Sequence, residues 1–291
     1  MMASIIIPVA KEGEDLYHRI RSFTNTLSDL AKKHNFQYEV ILVSDVYHTP
    51  TIKAMMKLSK QNIAKCLLLT RRIGKGGSIK NAVPYTHGDI IVLLDADIPI
   101  STEILYKAIS LTAKFKLDLL VANRVHRTHT LPRRILSIAY NNLVNLLFRT
   151  GLQDHQAGFK ILHRKAAEIV LMKRTRTDGL AYDTEIIVWA KKHGLKYRAI
   201  NVIWEEQRTG STIPPIRALL TMLADLIMLR LLTIGEKYVA LQKLIIGRTI
   251  ELNNIRTIGH EFMTVIRASG FKKYLLDFLR KLYIAVAFKG K

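Results

Sequence analysis

The chain of 291 residues has one cysteine, Cys66. A single thiol excludes an internal disulfide framework and fits a reducing, cytoplasmic compartment. Long apolar runs are also missing. Hydrophobic residues make up 49% of the chain and mean hydropathy is +0.11. Even so, no uninterrupted run reaches the ~18–20 residues that span a bilayer. The segment from Met1 to Pro8 has no positive stretch ahead of its apolar residues, so it reads as a strand and not as a signal peptide. Acids are scarce: 23 Asp and Glu against 45 Lys and Arg leave a net charge of +22. Such a chain calls for an anionic partner, whether nucleic acid, anionic lipid or a phosphorylated substrate. The nucleic-acid reading finds no helix-turn-helix, zinc or RNP signature, and aromatics are only 8%, so no nucleic acid is expected. The shortage of acid is sharpest between Asp118 and Asp154, where no Asp or Glu occurs. That span carries Arg124, Arg127, Arg133, Arg134 and Arg149 with His126 and His129. A solvated face ordinarily mixes signs, and arginine grips phosphate oxygens in a bidentate manner.

What is present is an alternation of strand-like and helix-like segments. Strands are expected at Ser4–Pro8, Glu39–Ser44, Lys65–Thr70, Asp89–Leu94 and Asp118–Ala122. Helical spacing marks residues 14–35, with Leu16, Ile20, Phe23, Leu27 and Leu30, and also Ile52–Gln61, Ser78–Thr86 and Ser101–Phe115. This pattern predicts an α/β domain with a parallel, doubly wound sheet over residues 1–214. From about Pro214 the pattern becomes almost wholly helical. Residues 215–291 hold 13 Lys and Arg against 5 Asp and Glu, which predicts a basic, amphipathic, membrane-associating extension. Its most apolar helix, Ile216–Ile234, is interrupted by Arg217, Asp225 and Arg230. A charge at the bilayer centre costs at least ~2.5–3.5 kcal/mol, so this helix is expected to lie in the interface or pack on the domain.

Chemistry concentrates where strands end. Asp89-Ile-Ile-Val-Leu-Leu-Asp95-Ala96-Asp97 is a buried-strand run closing in two carboxylates one residue apart. Side chains alternate along a strand, so Asp95 and Asp97 leave it on the same side. Ligands of open α/β sheets bind at such ends, and two hard oxygen donors there can hold Mg²⁺ or Mn²⁺ against a diphosphate. The plainer alternative is an acidic turn with Asp as a helix N-cap. Gly74-Lys75-Gly76-Gly77 lets backbone N–H groups approach an anion at a helix N-terminus, and a simple strand-to-helix turn explains the same glycines. Asp183 and Glu185, at a helix start, could cap it, and Glu185 could instead supply a general base. Residues 138–148 are apolar at helical spacing and suit either a lipid groove or core packing.

Taken in order, several motifs resemble family-2 glycosyltransferases of GT-A fold. They are Pro8-Val9-Ala10-Lys11-Glu12, Ile41-Leu42-Val43-Ser44-Asp45, Gly74-Lys75-Gly76-Gly77, Asp95-Ala96-Asp97, Asp154-His155-Gln156-Ala157-Gly158-Phe159-Lys160, Tyr182-Asp183-Thr184-Glu185 and Arg208-Thr209-Gly210-Ser211. More narrowly, they resemble the synthases that move a hexose from a sugar nucleotide to dolichyl or another polyisoprenyl phosphate. The Asp-x-Gln-x-Gly-Phe-Lys block and the helix Met222–Arg230 lean toward the glucosyl branch over the mannosyl branch. The resemblance covers roughly residues 3–235 and implies a Rossmann-like, mostly parallel sheet flanked by helices. It implies an inverting transfer from a UDP- or GDP-hexose. Pro8, Ala10, Glu12, Asp45, Gly74, Lys75, Asp95, Ala96, Asp97 and Arg208 would lie against the sugar nucleotide, with Asp95 and Asp97 toward the Mg²⁺ or Mn²⁺. Asp97, Arg208 and Glu185 would be catalytic, while Arg124, Arg133 and Ser137 would hold the lipid phosphate. Two departures stand out: Ser44 and Val46-Tyr47 replace the first of the family's usual two aspartates and its Gly-Ser, and Thr212 replaces a lysine. The basic, amphipathic residues 215–291 predict a peripheral place on the cytoplasmic face of a membrane, and a membrane partner subunit is left open. A same-fold enzyme with a saccharide acceptor, and a non-catalytic basic membrane adaptor, are the competing readings.

Overall fold

In a computed structural model of the protein, the described residues are 1–125, 131–175, 181–204, 222–223 and 225–235, with only the backbone described at 131–133. The chain divides into two units, Met1–Gly210 and Ser211–Lys291. The first unit is built on β1 (Met2–Val9), α1 (Asp15–His34), β2 (Gln37–Ser44), α2 (Thr49–Lys60), β3 (Lys65–Leu68), α3 (Gly74–Ala82), β4 (Ile90–Leu93), α4 (Thr102–Lys114), β5 (Leu119–Val125), α5 (Leu131–Phe148), β6 (Lys160–His163), α6 (Arg164–Ala167), α7 (Tyr182–Lys192) and β7 (Tyr197–Ile203). A π-helical stretch, Glu168–Arg174, continues α6.

The seven strands form one sheet in the order β3-β2-β1-β4-β6-β5-β7. β1, β2, β3 and β4 run parallel, as do β5 and β7. β6 runs antiparallel to both its neighbours. The sheet is therefore mixed, where the alternation alone predicts a parallel one. Segment 154–163 follows a helix but enters the sheet from the strands' carboxyl edge, which reverses its direction. β1 is buried on both faces, with Ala3, Ile5, Ile6 and Ile7 at zero exposure. That suits a central strand covered by helices on each side. α1 buries Leu16, Ile20, Phe23 and Leu27 and ends at Asn35, whose left-handed φ of 50° lets the following amide turn back onto Ala31. Cys66 donates to the Met55 carbonyl at 3.2 Å. Burial pushes its thiol up to about 12, which makes it a poor nucleophile.

In the second unit the described residues are helical, at 222–223 and 225–235. Leu226 and Leu229 are buried, while Ile227, Met228, Leu231, Leu232 and Ile234 are exposed. No helix among the described residues is long and apolar enough to cross a membrane.

Candidate active site

Parallel pairing brings the carboxyl ends of β1, β2 and β4 to one edge. Three expected motifs meet there because Pro8 pairs with Val43 and Ile6 with Leu93. A cleft of about 350 Å³ opens along this edge. From the end of β1 and the loop behind it the cleft takes Pro8, Ala10 and Glu12; after β2, Asp45; from the start of α3, Gly74 and Lys75; after β4, Asp95, Ala96 and Asp97. Nine of the ten residues expected at the sugar nucleotide therefore share one cleft. The tenth, Arg208, lies outside the described residues, as do Thr212, Arg127, His126 and His129. The cleft also includes Val46, one of the residues that depart from the family pattern, and Arg72 and Ser78.

The glycine segment is not a turn ahead of a helix. It is the first turn of α3 itself, and Gly74 takes φ +82°. Asp45 reaches across from the end of β2, and its Oδ2 accepts from the amides of Ile73 (2.8 Å) and Gly74 (2.5 Å). It thereby serves the amide groups a helix start leaves over. After β4 the chain turns tightly, with the Ile98 amide donating to the Asp95 carbonyl at 3.0 Å. Arg19 of α1 donates to the Ala96 carbonyl at 3.1 Å. Ile98 sits at φ +48°, an uncommon conformation for a β-branched side chain. The capping alternative for these aspartates fails, because Ser101 caps α4 by accepting from Ile104.

The antiparallel register of β4 and β6 pairs Leu93 with Lys160. Continued by two residues, it sets Gly158 opposite Asp95. A Cβ built on Gly158 would stand 1.9 Å from Asp95 Oδ2, so any larger residue requires the Asp95 side chain to move. Lys75 Nζ lies 2.8 Å from Asp95 Oδ1 and 3.0 Å from Asp183 Oδ2, and Lys160 Nζ lies 2.7 Å from Asp183 Oδ1. Burial opposes the charge on Lys75, but Asp183 and Asp95 outweigh it and raise its pKa above the usual lysine range. Burial likewise disfavours the Asp183 carboxylate, and the two ammonium groups overcome this and hold its pKa low. The capping role considered for Asp183 is thus replaced by ion pairing, and the residue at the start of α7 is Ala181, with no side-chain cap.

Beside this cleft lies a larger groove of about 650 Å³ between β5 and α5. Arg124, Arg134, Ser137 and Ile138 line it, together with the carboxamides of Asn123 and Gln153. Arg124 is not an uncompensated cation here. Its Nε and Nη2 meet Asp154 at 2.7 and 3.0 Å, and its guanidinium lies 5.3 Å from the Trp204 ring centre. Arg133 belongs to α5, but its side chain is outside the described residues. The loop before β6 is clasped to α5: His155 bonds Asn141 at 2.7 Å and Thr150 at 2.6 Å. Burial lowers the His155 pKa to about 4. Of the apolar residues of α5, Tyr140 and Val144 are buried, while Ile135, Ile138 and Leu146 are exposed. Core packing therefore accounts for one side of that stripe, and its other side is exposed.

Glu185 is 1% exposed, and its Oε1 accepts from the Trp189 indole at 3.0 Å. It lines neither cleft. Among the described residues no three His, Cys, Asp or Glu side chains cluster as a metal cage.

Comparisons with known proteins agree with this architecture. The mouse dolichyl-phosphate beta-glucosyltransferase is 28% identical over 245 residues, covering 78% of this chain and 74% of that protein. The Saccharomyces cerevisiae protein of the same name is 24% identical over 251 residues, with 78% and 74% covered. Glycosyltransferase AglD of Haloferax volcanii is 28% identical over 208 residues, which are 69% of this chain but only 33% of that longer protein. Among solved structures, glucosyl-3-phosphoglycerate synthase of Mycobacterium tuberculosis, with Mn²⁺, UDP and glucosyl-3-phosphoglycerate, superposes with a TM-score of 0.60 at 15% identity, covering 78% and 79% of the two chains. Mannosyl-3-phosphoglycerate synthase of Rubrobacter xylanophilus gives 0.61 at 16%, covering 87% and 77%. The fold is GT-A, a mostly parallel sheet flanked by helices. The model for "Glycosyl transferase family 2" matches residues 4–171, more than half of the chain, and the protein is a glycosyltransferase that belongs to this family.

Proposed function

We propose that the protein moves a hexose from a nucleoside-diphosphate sugar to a polyisoprenyl phosphate. One observation carries this reading: two clefts of unlike chemistry open at the carboxyl ends of strands of one sheet. The first is lined by carboxylates and Lys75 at strand ends. The second joins Arg134 and Ser137 to the exposed apolar side of α5. A headgroup phosphate and an isoprenoid chain need just such a pairing of cation and apolar surface. The names of the dolichyl-phosphate relatives support the same acceptor.

In this mechanism an oxygen of the acceptor phosphate attacks the anomeric carbon as the bond to the diphosphate breaks, with inversion. The electron pair leaves on the diphosphate, where Lys75 offsets the growing charge and Arg208 is assigned the same duty. A phosphate monoester has its second pKa near 6, so the nucleophile is largely ionised at neutral pH. No general base is then required, in keeping with the burial of Glu185 against Trp189. Asp95 and Asp97, as two oxygen donors beside a diphosphate, fit Mg²⁺ or Mn²⁺ in the usual sharing of such ions between carboxylates and phosphates. Bound there, the ion would act as a Lewis acid on the leaving group. Residues 215–291 and the exposed face of α5 would hold the protein on the cytoplasmic face of a membrane, through apolar burial and attraction to anionic lipid.

A saccharide acceptor is the second reading, and the carboxamides of Asn123 and Gln153 favour it, since amides pair readily with hydroxyls. One assay separates the two. The protein is incubated with radiolabelled UDP-glucose or GDP-mannose, Mn²⁺, and either a polyisoprenyl phosphate or an oligosaccharide. Label entering the organic phase only with the lipid phosphate supports the proposal. Label appearing only on oligosaccharide overturns it.

A further inference from the structure

The Lys75 ammonium faces the donor cleft, but groups outside the cleft hold it. Asp183, 6% exposed, comes from the first turn of α7, and Lys160, fully buried, is the first residue of β6. Charges alternate from the sheet interior to the cleft: Lys160, Asp183, Lys75, Asp95. Lys160 also donates to the Ala157 carbonyl. We propose that Asp183 and Lys160 are positioning residues of the donor cleft: Lys160 fixes Asp183, Asp183 fixes the Lys75 ammonium, and Lys75 fixes Asp95. This rests on the sugar-nucleotide reading above and adds to it two residues that touch neither substrate.

Stability alone is a weak reason for such a chain. Desolvation offsets most of the attraction in a buried ion pair, and apolar residues of like volume often serve a fold as well. A chain of alternating charges does supply fixed geometry. The lysine stem has four rotatable carbons, and Lys75 beside Asp95 alone could swing toward solvent. A second carboxylate at 3.0 Å pins the ammonium between two acceptors. A cation already in place when charge develops on the leaving diphosphate needs no reorganisation. The segment that ends in Lys160 also carries Gly158 against Asp95. It therefore steadies that carboxylate from two sides, by close contact and through the charge chain.

The test is a binding cycle on the full chain by titration calorimetry in Mn²⁺. It compares UDP with UMP and GDP with GMP, using whichever base binds more tightly. The wild type should prefer the diphosphate. Lys75→Met and Asp183→Asn should each cut that preference by about tenfold, the usual worth of a charge-assisted contact, with monophosphate affinity unchanged. Combining the two should cost no more than Lys75→Met alone, because both act through one ammonium. Lys160→Met with Asp183→Leu should keep the wild-type unfolding temperature and show the same lost preference; if that pair does not fold, the Asp183→Asn cycle decides alone. An Asp183→Asn protein with wild-type preference, or losses that add in full, overturns the proposal while sparing the donor reading. A wild type that binds neither diphosphate better than its monophosphate overturns both.

Discussion

The two clefts open at the carboxyl ends of strands of one sheet and differ in how their chemistry is assembled. In the cleft proposed for the donor each element delivers its residues directly from a strand end or helix start, so position along the chain fixes position in space. In the groove proposed for the acceptor the balance of charge depends on a partner thirty residues away. Arg124 opens the acid-free span as an apparent phosphate ligand, and Asp154, the first acid after the span, closes on it in a bidentate pair. A stretch without acids is therefore not a surface without acids. Arg134, also of that span, is exposed and lines the groove, where the proposal assigns it to the phosphate.

The largest effect belongs to the donor side. Asp97→Ala should lower transfer by at least ~10²-fold, the scale for losing a group that stabilises transition-state charge, with unfolding temperature unchanged. Full activity in EDTA would break the assignment of Asp97 to a metal. Gly158→Ala comes next. Its Cβ displaces Asp95, and misplacing a reacting group by about 1 Å can cost ~10²-fold. Steady-state kinetics should show that loss through the sugar nucleotide, with little change in the KM for the acceptor.

The third prediction turns the comparison toward stability. Asp154→Ala leaves Arg124 buried without its carboxylate, and breaking such a pair costs ~3–5 kcal/mol. Chemical denaturation should register that loss, whereas Arg134→Ala, at an exposed position, should leave stability within ~0.5 kcal/mol of wild type. Equal stability of the two variants would mean that the groove's arginines are interchangeable.

The smallest effect is a pH dependence. His155 keeps its proton off until about pH 4 because burial disfavours the imidazolium, while an unfolded histidine protonates near 6.5. Below pH 6.5 the unfolded chain gains a proton that the folded chain refuses. Stability is thus complete above 6.5, falls as pH drops, and stops falling near 4. Urea denaturation of His155→Gln between pH 7 and 4 should show a shallower decline than the wild type.

These contrasts also explain what could be read from sequence. Pro8, Asp45, Gly74 and Asp95 sit at strand ends or open a helix, and strand ends are marked by local pattern alone, so their gathering in one cleft was legible. The reversal of β6 was not, because a four-residue strand has no pattern that states direction. With it went the approach of Gly158 to Asp95, since that contact exists only in the antiparallel register. Asp183 looked like a capping residue because its partners, Lys75 and Lys160, lie 108 and 23 residues away. A buried lysine opening a strand was the one available signal.

The most direct measurement of separate donor and acceptor duties is a matched pair of KM determinations. Asp95→Asn and Arg134→Ala are each assayed with both substrates varied, using the donor sugar nucleotide and a polyisoprenyl phosphate. Arg134→Ala should raise the lipid-phosphate KM about tenfold and leave the sugar-nucleotide KM within about twofold, and Asp95→Asn should do the reverse. Both variants shifting the same KM would contradict the division of the site into two clefts.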